Sequence, residues 1–323
     1  MDITVIGPGS VGTLIGGLLS AKGYRVTLRG RQQPARDSGT VRIVLPDRWV
    51  VAEGVRLEGP EDAVQEADAM LVALGRHHLH AVRRPDFQKL IGSSDSPVAF
   101  FNCDPAEVER LALPAERAVF CVTLMNAIKL QDGDVELSSA SPTVIYQKSP
   151  VLGRILPALT AFGFKVTPVE DARPYANSLF VSQLLFLPVA MCNTTLAAFL
   201  SYPDGRELAM NILQEGLTVL EKADMPLASL PAMDPRELAG RLEKKPASFE
   251  MDLEQPDRGY NSILQSYLKG RPLEAALLNK RVVEIASSKG LHLTWNWRLL
   301  QKASRVASMG YYREPADLLR SLV

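Results

Sequence analysis

The period of the apolar positions changes once along the chain, and that change divides it. Residues 2–6 form a short apolar run closed by glycine, the pattern of a strand buried on both faces. Residues 10–22 are rich in Leu, Gly and Ala and stop at Gly23, which reads as a helix, and Tyr24–Leu28 reads as a second strand. Strand, helix and strand within about 30 residues make a βαβ unit. Further runs at Val41–Leu45, Val50–Val55, Ala69–Leu74, Val98–Phe101, Ala118–Thr123, Thr143–Tyr146 and Lys165–Pro168 predict strands, with helical patterns at 61–67, 77–91, 105–112 and 150–162. Such alternation predicts a doubly wound α/β sheet. After Glu170-Asp171-Ala172-Arg173-Pro174 strand signals nearly vanish. Residues 175–200, 205–223, 235–243, 260–269, 272–289 and 297–308 read as helices, separated by turns such as Tyr202-Pro203-Asp204-Gly205. The expectation is an α/β domain over residues 1–170 followed by an all-helical domain over 171–323.

Between the first strand and the first helix stands Gly7-Pro8-Gly9-Ser10-Val11-Gly12. This GxGxxG spacing, in that context, is the fingerprint of a Rossmann-type dinucleotide-binding domain. Gly7 allows a tight turn, Gly9 lets the backbone approach a pyrophosphate, and Gly12 lets helix and strand pack closely. The N–H groups that open the helix then face the phosphate charge. The loop residues Gly7, Pro8, Gly9, Ser10, Val11 and Gly12 are therefore the expected cofactor cradle. The second strand ends Thr27-Leu28-Arg29-Gly30-Arg31, without the acid that bonds ribose hydroxyls in NAD-preferring sites. Guanidinium forks match phosphate oxygens, so Arg29 and Arg31 suit a 2′-phosphate and point to NADPH, with Arg76 as a further phosphate contact.

Composition narrows the function classes. Lys plus Arg and Asp plus Glu both number 36, so the formal charge is zero and neither nucleic acid nor an anionic membrane is expected as a partner. Cys103, Cys121 and Cys192 lie far apart, with no CxxC pair, which fits a reducing cytoplasm. No basic leader precedes the first strand, and the apolar stretch Leu184–Cys192 is too short to span a bilayer and reads as part of a buried helix. His77, His78 and His80 lack an accompanying acid or cysteine at ligand spacing, so no metal is expected. Trp295 and Trp297, at the start of a late helix, read as packing residues.

The chain resembles the ketopantoate reductase (2-dehydropantoate 2-reductase) family over nearly its whole length. The opening Ile3-Thr4-Val5-Ile6-Gly7-Pro8-Gly9-Ser10-Val11-Gly12 is similar to the family's, and Phe100-Phe101-Asn102-Cys103 resembles its strand followed by Asn-Gly, with Cys103 in place of the glycine. Ser262-Ile263-Leu264-Gln265 and Lys269-Gly270-Arg271-Pro272-Leu273-Glu274 look like the family's Ser-Met-Leu-Gln-Asp and Gly-Arg-Pro-Thr-Glu segments. The resemblance implies a helical domain like the C-terminal part of 6-phosphogluconate dehydrogenase and an active site between the two domains. It implies Asn102 beside nicotinamide and substrate, Ser262 on the substrate carboxylate, and Glu274 as the second catalytic residue, on a substrate hydroxyl or ordering the site. A homodimer is implied as well.

One departure bears on mechanism. The family's catalytic lysine falls here on Phe186, and its two asparagines fall on Ala190 and Thr194, with Asn193 one place away as a substrate-binding candidate. No register shift restores the lysine, because none stands between Lys165 and Lys222. Lys129, Tyr175, Gln183, Asn193 or a water are candidate replacements, and the run Leu184-Leu185-Phe186-Leu187 suits a larger, more apolar substrate. The expected function is NADPH-dependent reduction of the ketone of a 2-oxo acid or related carbonyl compound. The alternative is a catalytically silent NADP(H)-binding module.

Overall fold

The structure, a computed structural model, describes residues 1–30, 39–59, 62, 66–74, 85–92, 95–130, 133–139, 141–244, 274–309, 311–312 and 314–323. It divides into two compact units, Met1–Ala176 and Asn177–Val323, the boundary falling inside the helix Arg173–Gln183.

The first unit is built on strands β1 (Asp2–Ile6), β2 (Arg25–Arg29), β3 (Val41–Val44), β4 (Trp49–Ala52), β5 (Arg56–Glu58), β6 (Ala69–Val72), β7 (Val98–Phe101), β8 (Ala118–Leu124), β9 (Ala127–Lys129), β10 (Val135–Leu137), β11 (Thr143–Gln147) and β12 (Lys165–Val169). The main sheet runs β12-β11-β8-β7-β6-β1-β2-β5. It is parallel throughout except where β11 meets β8. β6 and β7 are buried along their whole length, as apolar strands covered on both faces must be. The expected strands Val41–Leu45 and Val50–Val55 form, but as the antiparallel pair β3–β4 of a second sheet, β4-β3-β10-β9.

The helix α1 (Ser10–Ser20) lies between the two sheets, and no residue of it is exposed. Two adjacent glycines make this fit. A Cβ at Gly16 would stand 2.7 Å from the Leu28 side chain of the main sheet, and one at Gly17 would stand 2.8 Å from the Ile43 side chain of the second. Both contacts are closer than carbon atoms pack, so a methyl group at either position would have to displace the end of that buried side chain.

The second unit is helical among its described residues. The single helix expected over 175–200 is three: Arg173–Gln183, Phe186–Met191 and Leu196–Ser201. Pro188 explains the first break. It has no N–H to give the carbonyl four residues back, that of Leu184. Asn279 Nδ2, from the helix Glu274–Ser288, approaches that carbonyl instead at 3.4 Å. By composition Arg173–Met191 is long and apolar enough to cross a membrane, but 72% of its apolar window is buried inside the protein, the behaviour of a core segment. The long helix Pro203–Lys222 packs against this segment, and Gly216 leaves room for the Leu184 and Val181 side chains.

A carboxylate organises the far end of this core. Glu215 accepts hydrogen bonds from the N–H groups of Thr294, Trp295 and Asn296 at 2.7, 2.9 and 2.9 Å, so it caps the helix Trp295–Met309 from another helix. The same carboxylate takes Asn296 Nδ2 at 2.8 Å, and Asn296 Oδ1 accepts from Asn279 Nδ2 at 2.8 Å. Both asparagines are fully buried. Negative charge at a helix start and paired buried amides each favour the folded chain. Glu215→Ala strips a cap and leaves the Asn296 amide nitrogen only its 3.4 Å approach to the Ile212 carbonyl, so it should cost about 2–3 kcal/mol of stability. Urea denaturation measures it, and a loss under ~0.5 kcal/mol would contradict the assigned role.

Candidate dinucleotide site

The carboxyl ends of the parallel strands β5, β2, β1, β6 and β7 lie along one edge of the main sheet. At ~4.8 Å per strand, these five neighbours set out a line of ~19 Å. Along it stand Glu58 and Arg29 at the ends of β5 and β2, the loop Gly7–Gly12 after β1, Ala73 after β6, and Asn102 after β7. The chain leaves β1 towards β2 on one side and later returns as β6 on the other, which is the switch point where such sheets take ligands.

The loop is compressed in two places and open in the third. Gly7 adopts φ +93°, and a Cβ there would stand 2.8 Å from the Ala73 carbonyl oxygen. A Cβ at Gly12 would stand 2.2 Å from the Gly7 carbonyl oxygen. Gly9 differs: its φ of −75° suits any residue, and nothing lies within 4 Å of the place its Cβ would take. It precedes α1 at the N-cap, where no side chain caps the first N–H groups. Open space over Gly9 beside uncapped, positively polarised N–H groups fits a pyrophosphate.

Lys129, at the end of β9, adds a cation to this loop. Its Nζ donates to the Pro8 carbonyl at 2.8 Å and its backbone N–H donates to Ser10 Oγ at 3.1 Å. Burial pushes its pKa below the ordinary lysine value of 10.5. Of the proposed replacements for the family lysine, this one is tied to the phosphate loop.

Asn102 is held in a left-handed conformation, φ 52°, which asparagine tolerates better than most residues. Thr123 clasps its amide from the neighbouring strand. Asn102 Nδ2 donates to Thr123 Oγ1 at 2.7 Å, and the Thr123 N–H donates to Asn102 Oδ1 at 2.8 Å. Thr123 carries no motif, and only the pairing of β7 with β8 reveals it. Cys103, next in sequence, is buried with its Sγ 3.5 Å from the Phe101 carbonyl, the setting of an inert thiol. Burial likewise pushes the Cys121 thiol up, and that of Cys192 up to about 12.

Arg29 is not presented as an open fork. It is buried, with Nη1 2.9 Å from Glu58 Oε2, and its Nη2 donates to the Asp62 carbonyl. No apolar run marks Glu58, which lies on a three-residue strand paired with β2. Arg31, Arg76, Ser262 and the three histidines 77, 78 and 80 lie outside the described residues, and Glu274 is the first residue of the helix Glu274–Ser288. Phe186 opens its helix half-buried against the helical core. Asn193 is exposed beyond that helix at φ 48°, with its N–H on the Ala190 carbonyl at 3.1 Å, as a chain-turning residue. Tyr175 and Gln183 lie half-buried on the helix Arg173–Gln183.

Known proteins align with both units. Residues 3–149 match the family model described as ketopantoate reductase PanE/ApbA, and residues 186–307 match the model of its C-terminal domain. A 2-dehydropantoate 2-reductase of Halobacterium salinarum is 22% identical over 262 residues, covering 78% of this chain and 86% of that protein. A ternary structure of D-mandelate dehydrogenase with NADH and anilino(oxo)acetate superposes with a TM-score of 0.78 at 17% identity, covering 95% of this chain and 98% of the other. A PanE/ApbA family ketopantoate reductase from Ralstonia eutropha gives 0.75 at 15% identity with the same coverages.

Two glycine variants separate folding from binding. Gly9→Ala should keep the melting temperature within about 2 °C yet weaken nicotinamide dinucleotide binding by at least about tenfold, since only the ligand needs that space. Gly12→Ala should destabilise the fold itself, because the new methyl group meets a carbonyl oxygen. Calorimetry and thermal melts read both, and unimpaired binding by Gly9→Ala would remove the pyrophosphate from the loop. Lys129→Met should cost about tenfold in the same affinity. In the unaltered protein affinity should fall as pH rises towards 10.5 and the ammonium loses its proton, and the methionine variant should lose that dependence.

Proposed function

The chain belongs to the PanE/ApbA ketopantoate reductase family, and from that premise we propose that it is an NADPH-dependent reductase acting on the ketone of a 2-oxo acid or related carbonyl compound. The observation that carries the proposal is the glycine loop, closed at Gly7 and Gly12 and open at Gly9, at the switch point of the sheet. With its pyrophosphate on that loop, a reduced nicotinamide dinucleotide would supply the hydride that the ketone carbon accepts. The residues of this chain do the rest. The N–H groups that open α1 and the Lys129 ammonium hold the pyrophosphate, and Arg31 and Arg76 are the proposed contacts of the extra phosphate, since Arg29, expected beside them, is engaged by Glu58. Asn102, oriented by Thr123, holds substrate at the nicotinamide end, with Ser262, Glu274 and Asn193 as the proposed substrate contacts from the helical part.

Negative charge grows on the ketone oxygen as hydride arrives, and a donor beside it lowers the barrier. The missing family lysine therefore shapes the expected substrate. Losing a positioned acid costs ~10²–10⁴-fold in rate, so ketopantoate should be a slow substrate. The apolar run 184–187 favours a bulkier one. That D-mandelate dehydrogenase shares the fold and was captured with anilino(oxo)acetate supports an aromatic 2-oxo acid. A homodimer in the cytoplasm is proposed with this reading. The silent NADP(H)-binding module remains as a second reading, favoured by the absence of any lysine between Lys165 and Lys222.

One assay decides between them. Purified protein with NADPH and a panel of 2-oxo acids, aliphatic and aromatic, is expected to consume the reduced nicotinamide band. Asn102→Ala should then lower kcat/KM by roughly a hundredfold. Saturable NADPH binding without turnover on any member of the panel would establish the silent module instead.

A further inference from the structure

We infer that Glu58 is a specificity-determining residue: by neutralising Arg29 at the tip of β2, it limits the preference of the site for NADPH over NADH. The inference rests on the dinucleotide reading above and adds a residue and a direction to it.

The geometry leaves Arg29 little freedom. Arg29 and Glu58 are register partners on parallel strands, and their backbones are joined by the Gly30 N–H on the Glu58 carbonyl at 3.0 Å. Their side chains meet at 2.9 Å with only 7% and 9% of their surfaces exposed. A second constraint comes from Asp62, whose carbonyl accepts from Arg29 Nη2 and whose carboxylate accepts the Gly59 N–H at 2.5 Å. The guanidinium is thus fixed by a carboxylate on one nitrogen and a carbonyl on another. The Gly7 N–H donates to the Arg29 carbonyl at 3.0 Å, so this pair adjoins the phosphate loop directly. The end of the second strand is where dinucleotide sites read the adenosine ribose.

Charge then decides the outcome. A phosphate monoester brings between one and two negative charges near neutral pH. A lone arginine would welcome it, but a pair of net charge zero offers it little. Drawing Arg29 away would leave the Glu58 carboxylate buried and unpaired beside another anion, which is strongly unfavourable. A ribose with a free 2′-hydroxyl meets no such opposition. The preference for the phosphorylated nucleotide should therefore follow the net charge of the pair: zero in the natural protein, one positive charge in Glu58→Gln, one negative charge in Arg29→Gln, and zero again when both are changed.

Dissociation constants for NADPH and NADH, measured by fluorescence titration on all four proteins, test this. The NADPH-to-NADH affinity ratio should rise about tenfold in Glu58→Gln and fall about tenfold in Arg29→Gln. In the double variant it should return to within about twofold of the natural protein. Should Glu58→Gln not fold, Arg29→Gln and the double variant, which leaves no buried charge unpaired, still carry the test. A ratio unmoved by Glu58→Gln overturns the inference. So does a double variant that loses NADPH preference as fully as Arg29→Gln, since Arg29 would then hold the phosphate despite its partner. Natural protein that binds neither nucleotide overturns the dinucleotide reading along with it, so the two failures are told apart.

Discussion

The near-contact of the Gly7 carbonyl with the backbone of Gly12 is the constraint from which the rest of the nucleotide unit follows. No side chain fits between them, since a Cβ would stand 2.2 Å from the oxygen. The helix α1 can begin so close to the end of β1 only because Gly12 lacks one. That approach sets the first helical N–H groups at the edge of the sheet, where an anion meets them at short range. Gly7 in turn lies against the Ala73 carbonyl after β6, so the loop is seated on the sheet at the point where the order of strand addition reverses. Glycine at Gly9 has a different reason, since nothing of the protein itself lies near it. The three positions of one motif thus differ: two answer to close contacts within the fold, and the third, open, position is the one proposed for the ligand.

The two flanks of the loop share a device. On one side Arg29 is held by Glu58, and on the other Asn102 is held by Thr123. In both cases the residue at a strand tip is oriented by the strand beside it, and the partner is well buried. Side chains fixed this way before a ligand arrives lose little freedom when it binds. The chemistry differs with the sign of the charge: a neutral amide keeps some hydrogen-bonding capacity when clasped, whereas a paired guanidinium surrenders much of its field.

Much of this was legible in the order of residues. The βαβ opening, the loop, the change to helices after residue 170 and the family likeness all rest on local patterns, and the observed elements follow them. What escaped depends on pairing between distant segments. β5 is three residues, Arg56–Glu58, with charges at both ends, so no apolar run announces it, and without β5 the partner of Arg29 is invisible. β9 and β10 are equally short, and they turn β3 and β4 into a separate sheet where local patterning assigned them no sheet of their own. The helix read over 175–200 failed at Pro188, whose missing N–H was recognisable but whose compensation by Asn279 came from far along the chain. The substrate residues expected at Ser262 and Glu274 rest on the likeness alone.

The placement of α1 between two sheets has a consequence for how such a protein diversifies. With Gly16 against one sheet and Gly17 against the other, the helix is packed closely on both sides. The anion-receiving end is delivered as a fixed fitting, its ordering completed when the chain folds. Substitutions at these two glycines are felt by both layers at once, whatever nucleotide is used. The tips of β2 and β5 are spared that double demand, but there the Arg29–Glu58 pair changes as a unit, since altering either partner alone leaves the other charge buried and unmatched.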